Sequence, residues 1–454
     1  MIIDIQIKKT FKFCNMVYLQ DIKLSNFKCF EETQRLKLGK ITLLTGANST
    51  GKSSLMYSIL GALQTHDFPL NLSPNGQYVQ LGNFLEMVFK HDNQKALGIS
   101  FTLVDTENER KLLVNTEWTC SNAENPLIDK CQCVSEYYNL EIKPSGDGKH
   151  VLYLDVHPEK NKNKMEVEDL LSYVNSKFPT DTELVKLLKY ANQESHIHNH
   201  AFDDTVNAQE EIRYPLLFVM QDIQSLLKKY NASVNYISSY RQPAQRIYAE
   251  EPVASGKIAT SGEGFINELL KWKDDDKRDR FQLFVDSMMS IGLLSGVEPT
   301  RLGSGQFKVG VRVHDDDEVV NLWDVGFGIS QTMPIIIGDI ELGDGSTLYI
   351  SQPEVHLHPR AQAKFGDYLV QQMNKGKRYV IESHSEYLMN RLRLSVVKGL
   401  VDEEDIKVYY MSQGQGQTTI YDVRFKKNGQ IEGAPQDFFD TYMIDVMDIA
   451  MNAE

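Results

Sequence analysis

The chain has 454 residues, with 48 Lys and Arg against 62 Asp and Glu and a formal net charge of −14. An apolar share of 41% and an aromatic share of 10% supply a sizeable core, which excludes a disordered acidic chain, and no apolar run approaches the ~20 residues of a membrane helix. The acidity excludes a uniformly basic nucleic-acid binder and leaves room only for a local basic groove.

Five cysteines, an odd number, make no disulfide framework, and the first 15 residues alternate without a signal-peptide core, so the expected setting is the reducing cytoplasm. Residues 17–45 read as β-rich and end in the run Ile41-Thr-Leu-Leu-Thr45, apolar, β-branched and closed by Gly46, the pattern of a buried strand. A helical pattern covers 53–63, and short strands separated by turn residues follow over 76–102. Residues 121–220 are acid-rich, with Asn, Ser and His in the loops and helices predicted over 166–178 and 182–192. Strand and helix patterns alternate again from Val234, and residues 431–454 form an acidic, amphipathic end. The expected organisation is an N-terminal lobe over 1–115, an inserted, largely helical arm over 116–225 and a C-terminal lobe over 226–454.

The segment Gly46-Ala47-Asn48-Ser49-Thr50-Gly51-Lys52-Ser53 fits G-x-x-x-x-G-K-[ST], and it lies between an apolar strand and a helix, where the mechanism needs it. Its glycines let the backbone N–H groups from Asn48 through Ser54 wrap phosphates at the positive end of the helix dipole. Lys52 is expected to reach the β- and γ-phosphates and Ser53 to ligate Mg²⁺. The pattern alone does not choose among GTPases, kinases and ATPases; no N-K-x-D motif for reading guanine is present, and the flanking residues decide better.

The blocks around this loop carry a resemblance. Leu24-Ser-Asn-Phe-Lys-Cys-Phe30 and the strand before Gly46 resemble the opening of the ABC-type ATPases of the RecF, SMC and OLD group. Asp324-Val-Gly-Phe-Gly-Ile-Ser-Gln331 resembles that group's signature segment, Leu348-Tyr-Ile-Ser-Gln-Pro-Glu-Val-His-Leu-His-Pro359 its Walker B block, and Ile381-Glu-Ser-His384-Ser its histidine switch. The resemblance implies an α/β, ABC-type P-loop fold, a mixed sheet flanked by helices. It also implies a head-to-tail ATP-sandwich dimer, in which Gly328, Ser330 and Gln331 serve the partner's nucleotide. Gln80 is a candidate for the group's glutamine that watches Mg²⁺ and the γ-phosphate, with Gln64 as a rival, and His384 is the candidate γ-phosphate contact.

Members of the group usually end the Walker B strand in Asp-Glu, the Asp for Mg²⁺ and the Glu to polarise the attacking water. Here those positions are Ser351 and Gln352, and only Glu354 keeps a carboxylate. Glutamine orients a water but takes no proton, and general-base catalysis contributes about 10²–10⁴-fold. The expectation is ATP binding with weak or absent hydrolysis, Glu354 being the alternative base.

Among weaker candidates, His196, His198 and His200 read as a solvated loop before a metal site, and Cys131 and Cys133 as structural. Tyr240 to Tyr248 holds two arginines among aromatics and suits packing, adenine or DNA contact equally. A chain of this length without an appended nuclease resembles the ATP-binding subunits of bacterial anti-phage defence operons of the Septu type, whose partner is a separate HNH nuclease. The expected role is that of a homo-oligomeric regulator controlling such a nuclease, with DNA contact indirect and no membrane. The alternative is a RecF/SMC-like DNA repair ATPase that binds DNA directly.

Overall fold

Strand β1 (Val17–Phe27) buries Val17, Leu19, Ile22, Leu24 and Phe27, and a register shift between Leu19 and Asp21 keeps these residues on the core face. The computed structural model describes residues 16–120, 125–144, 150–156, 197–198, 208–251, 257–274, 278–414, 416–435, 438 and 451. After β1 come β2 (Phe30–Glu32), β3 (Leu36–Lys37), β4 (Ile41–Gly46), α1 (Lys52–Gln64) and α2 (Phe84–Met87). A run of strands follows: β5 (Leu97–Asp105), β6 (Arg110–Thr119), β7 (Leu127–Val134), β8 (Tyr138–Pro144), β9 (His150–Val156) and β10 (Ile197–His198). The next elements are α3 (Ala208–Ala232), β11 (Val234–Ile237), β12 (Tyr248–Ala249), α4 (Phe265–Asp274), α5 (Arg278–Ile291), β13 (Gly296–Gly303), β14 (Gln306–Arg312) and β15 (Val320–Asn321). The chain then alternates: α6 (Phe327–Leu342), β16 (Thr347–Ser351), α7 (Pro359–Met373), β17 (Arg378–Glu382), α8 (Glu386–Val397), β18 (Ile406–Gly414), β19 (Gln417–Phe425) and β20 (Ile431–Glu432).

Among the described residues the strands form three sheets. A 9-stranded, mostly antiparallel sheet runs β10-β9-β8-β7-β6-β5-β1-β2, with β3 also on β1; a 4-stranded sheet runs β12-β14-β13, with β15 on β14. The 7-stranded sheet, β11-β16-β17-β4-β18-β19-β20, is parallel from β11 to β18. Its inner strands are buried on both faces, which is why β4 and β16 read as continuous apolar runs and not as alternations. Ile41 and Leu43 of β4 face a core shared with α4–α8, whereas Leu44 faces a second core shared with β1, β5 and α1. Each fully buried aliphatic side chain here contributes about 1.5–3 kcal/mol. The mixed α/β arrangement of sheets flanked by helices agrees with expectation.

The helical reading of the inserted arm fits α3, which covers its residues 208–225, but needs correction before position 157. Its described residues before position 157 are strands, β6 running across the expected boundary at 116 and β7, β8 and β9 continuing the meander. Burial alternates along β8, and Cys131 and Cys133 of β7 point together into the core. That period of two outweighs the acidic composition, because Glu117 of β6 and Glu141 of β8 occupy the alternate, open positions. The predicted helices over 166–178 and 182–192, together with His196 and His200, lie outside the described residues, while His198 sits in β10.

Candidate functional site

Loops at the carboxyl ends of parallel strands build the site, and β4 lies between β17 and β18 at its centre. The loop after β4 begins at Gly46, whose φ of 131° and close packing on the Met411 carbonyl leave no room for a side chain. Gly51, at φ 98°, caps α1 and packs its open side against Cys29. Thr50 donates its hydroxyl to Ala47 O at 2.9 Å, and its own carbonyl accepts the Thr418 hydroxyl at 2.9 Å. The β18–β19 hairpin therefore braces the loop from behind. A cavity of about 370 Å³ opens in front of it, lined by residues 49–54, Lys28, Lys90, His91 and Glu382.

Lys52 is buried and donates to Gly46 O at 3.0 Å and to Ala47 O at 2.5 Å. Desolvation lowers its pKa, while Glu382 and Glu354 pull it back up. The Ser53 hydroxyl hydrogen-bonds the Glu382 carboxylate, 2.7 Å and 2.9 Å from its two oxygens. Glu382 ends β17 directly opposite Ser351 of β16, and the Ser351 hydroxyl donates to it at 3.2 Å. Tyr236 OH stands 3.2 Å from the same hydroxyl.

Behind β16 the chain turns through Gln352, held at φ 48°, a left-handed conformation rare outside glycine and typical of a functional turn. Glu354 is drawn inward: one carboxylate oxygen accepts the His384 N–H at 2.6 Å, and the other is buried without a hydrogen-bond partner. Burial raises the Glu354 pKa against the opposing effect of that N–H. Burial and the charge on Lys52 lower the pKa of the His384 imidazole, so the ring is neutral at pH 7.

Arg241, 5% exposed, ties the site together. Its guanidinium donates to the carbonyls of Ser238 at 2.9 Å, Gln331 at 3.3 Å, Ser351 at 2.7 Å and Gln352 at 2.9 Å. Desolvation lowers its pKa to about 10, with Glu354 resisting the fall. The open readings for the 240–248 cluster thus resolve for Arg241, which is a buried clamp. Arg246 instead pairs with Asp324 at 2.6 Å on the surface.

The structure gathers Ser49, Thr50, Gly51, Lys52, Ser53 and Ser54 on the cavity wall and sets Glu354 and His384, joined by their hydrogen bond, within electrostatic reach of Lys52. Ser330 and Gln331 call for correction, for they do not face outward: both are buried, Ser330 donating to Phe327 O at 3.1 Å and Gln331 to Gln242 O at 3.2 Å. The cause is the helical period, since α6 starts at Phe327 and turns both positions toward the core. Its first turn presents Phe327, 59% exposed, while Gly328 packs flush against the His356 carbonyl. Gln80 is exposed, donates to Gly76 O at 2.9 Å and does not line the cavity, whereas Gln64 holds the backbone of Tyr78 and Val79. Sequence reasoning passed over Glu382, although the residue stands inside the histidine-switch block. The signal was its place at the end of an apolar strand pairing with the end of β16.

The donors around Ser53 are oxygens alone, a hydroxyl and a carboxylate, the set a hard divalent cation such as Mg²⁺ requires. A strand–loop–helix phosphate cradle, an oxygen site beside it and a buried carboxylate with a neutral histidine define a P-loop ATPase. The family match agrees: the AAA ATPase domain family covers residues 17–389, and the chain belongs to it. No curated protein matches the chain by sequence. Among solved structures, the chain is similar to the Smc head domain of Pyrococcus furiosus bound to the C-terminal domain of ScpA, at 12% identity and TM-score 0.40, covering 96% of this chain and 100% of that one. The SMC head domain of Thermotoga maritima is similar at 11% identity and TM-score 0.39, covering 88% and 97%. The Smc head domain of Pyrococcus yayanosii stands at 10% identity and TM-score 0.42, covering 91% and 98%. Among the described residues no helix is long and apolar enough to cross a membrane.

Proposed function

We propose that this ATPase binds Mg·ATP tightly at the Lys52 loop, hydrolyses it slowly, and acts as a nucleotide-gated regulator of a separate effector. The observation that carries this reading is Glu354, the one carboxylate in the turn after β16, buried with one oxygen on the His384 N–H and the other unpartnered. A carboxylate whose pKa burial has raised is a better base near neutral pH than an exposed one, and Gln352 beside it orients a water without taking its proton. Lys52 swings from its loop carbonyls to the β- and γ-phosphates, the neutral His384 ring meets the γ-phosphate, and Ser53 is a ligand of the metal. A magnesium ion would be held at the Ser53 hydroxyl and would supply charge neutralisation to the phosphates. With Gln352 in place of the usual acid, turnover falls within the ~10²–10⁴-fold that general-base catalysis contributes.

The ABC-type reading adds a second copy, whose first α6 turn closes over the nucleotide. The exposed side chains of Trp323 and Phe327 beside that turn support it. The effector is proposed to be an HNH-type nuclease on another chain, within an anti-phage defence complex of the Septu type; this rests on the sequence resemblance. Three measurements test the proposal. ATP binding should vanish in Lys52→Ala, ATP should shift the wild type toward a dimer in light scattering, and a nuclease should co-purify from the native operon. Rapid, Lys52-dependent steady-state hydrolysis would sink the slow-turnover reading. ATP-dependent DNA binding by the chain alone, with a steep salt slope, would favour the DNA repair alternative.

A further inference from the structure

The end of β16 lacks the acid that usually holds the metal of such a site, yet a carboxylate stands against Ser53 all the same. It belongs to Glu382, on the neighbouring strand. β17 lies between β16 and the loop-bearing β4, so a residue at its end starts one strand nearer the phosphate loop than residue 351 does. Strands lie about 4.8 Å apart. Both oxygens of Glu382 lie within hydrogen-bond distance of the Ser53 hydroxyl, and Lys52 feels its charge. Ser351, its register partner, has become a hydroxyl that donates to it at 3.2 Å. An acid at 351 would set two carboxylates against each other at that distance, and like charges so close do not both ionise. The two positions are therefore coupled: an acid at 382 goes with a neutral donor at 351.

We propose that Glu382 is the carboxylate through which this ATPase holds Mg²⁺ beside Ser53, the duty having moved from the end of β16 to the adjoining position on β17. The proposal rests on the Lys52 loop binding Mg·ATP, and its test separates the two. ATP affinity is measured without divalent metal, and Mn²⁺ affinity for the ATP complex is read from the free-Mn²⁺ EPR signal. Loss of a group that supports a bound metal typically lowers metal affinity about 10–100-fold. Glu382→Gln should lose at least the lower figure for Mn²⁺ while retaining metal-free ATP binding, which also reports that it is folded. Adding Ser351→Asp to Glu382→Gln returns a carboxylate to the facing register position and should recover most of the Mn²⁺ affinity. Glu382→Asp keeps the charge and should stay closer to wild type than Glu382→Gln does. Unchanged Mn²⁺ affinity in Glu382→Gln overturns the proposal, as does a double variant with no recovery or an Asp variant as weak as the Gln one. Failure of the wild type to bind ATP at all would instead strike the reading beneath it.

Discussion

Replacing Arg241 with methionine probes the clamp that joins the α6 segment to the turn after β16. Methionine keeps an unbranched apolar stem but ends short of the guanidinium, so four carbonyls lose a donor, and of these the Gln352 carbonyl still accepts the Val355 N–H at 3.4 Å. Each orphaned carbonyl costs about 1–3 kcal/mol, and summing four would overstate the effect because groups in one network are not additive. The charge itself is held at a desolvation cost, visible in the fall of its pKa to about 10, and the variant recovers that cost. Hydrogen bonds made by a charged donor contribute about 1.5–3 kcal/mol, and a net loss on that scale is expected once the recovered desolvation is set against the lost bonds. Arg241→Lys should fall between, since an ammonium has three donors and no planar fork with which to span carbonyls from three segments. Urea unfolding followed by circular dichroism gives the stability, and the unfolding slope should stay constant. A loss below about 1 kcal/mol for Arg241→Met, the scale of one ordinary hydrogen bond, would refute the clamp.

Three further outcomes follow from buried charge. Lys377 stands 3.2 Å from Asp339, both nearly inaccessible, with the hydroxyls of Tyr368 and Tyr379 on the same carboxylate at 2.6 Å and 3.1 Å. Asp339→Ala should therefore cost about 3–5 kcal/mol in urea unfolding, and Asp339→Leu with Lys377→Met should regain most of it. Glu354→Gln should abolish residual ATP turnover yet melt higher than wild type at pH 7. The folded state binds the Glu354 proton more tightly than the unfolded chain does, so ionisation at neutral pH works against folding, and the advantage should shrink as pH falls toward the ordinary glutamate range. Lys257, which donates to Tyr78 OH and Asn231, has its pKa pushed down to about 8 by burial. Between pH 8 and the ordinary lysine value the unfolded chain holds more protons, so stability should rise with pH there, and Lys257→Met should flatten that rise in thermal melts.

The phosphate loop was legible because its motif is local: the strand, the glycines, Lys52 and Ser53 follow one another in sequence, so the motif reads out even though the hairpin that braces it lies far along the chain. Glu354 and His384 were legible from their blocks, although 30 residues separate them. Glu382 was not, because its role depends on which strand neighbours which, and strand order is a tertiary fact. Ser330 and Gln331 misled for the opposite reason. The motif was recognised, but the helix begins at Phe327, and this phase sends both side chains inward. In the arm, acid-rich composition outweighed the two-residue alternation of β7 and β8, although the alternation reports the backbone directly.

The hydrogen bond from Thr418 to the Thr50 carbonyl spans 368 residues of chain. During synthesis the glycine-rich loop leaves the ribosome well before its brace, the β18–β19 hairpin, which is 368 residues further on. At about 5–20 residues per second the loop waits on the order of tens of seconds for that hairpin. The loop is thus braced long after it is made. A chain stalled before the hairpin holds the phosphate-loop motif without the hydrogen bond that braces it.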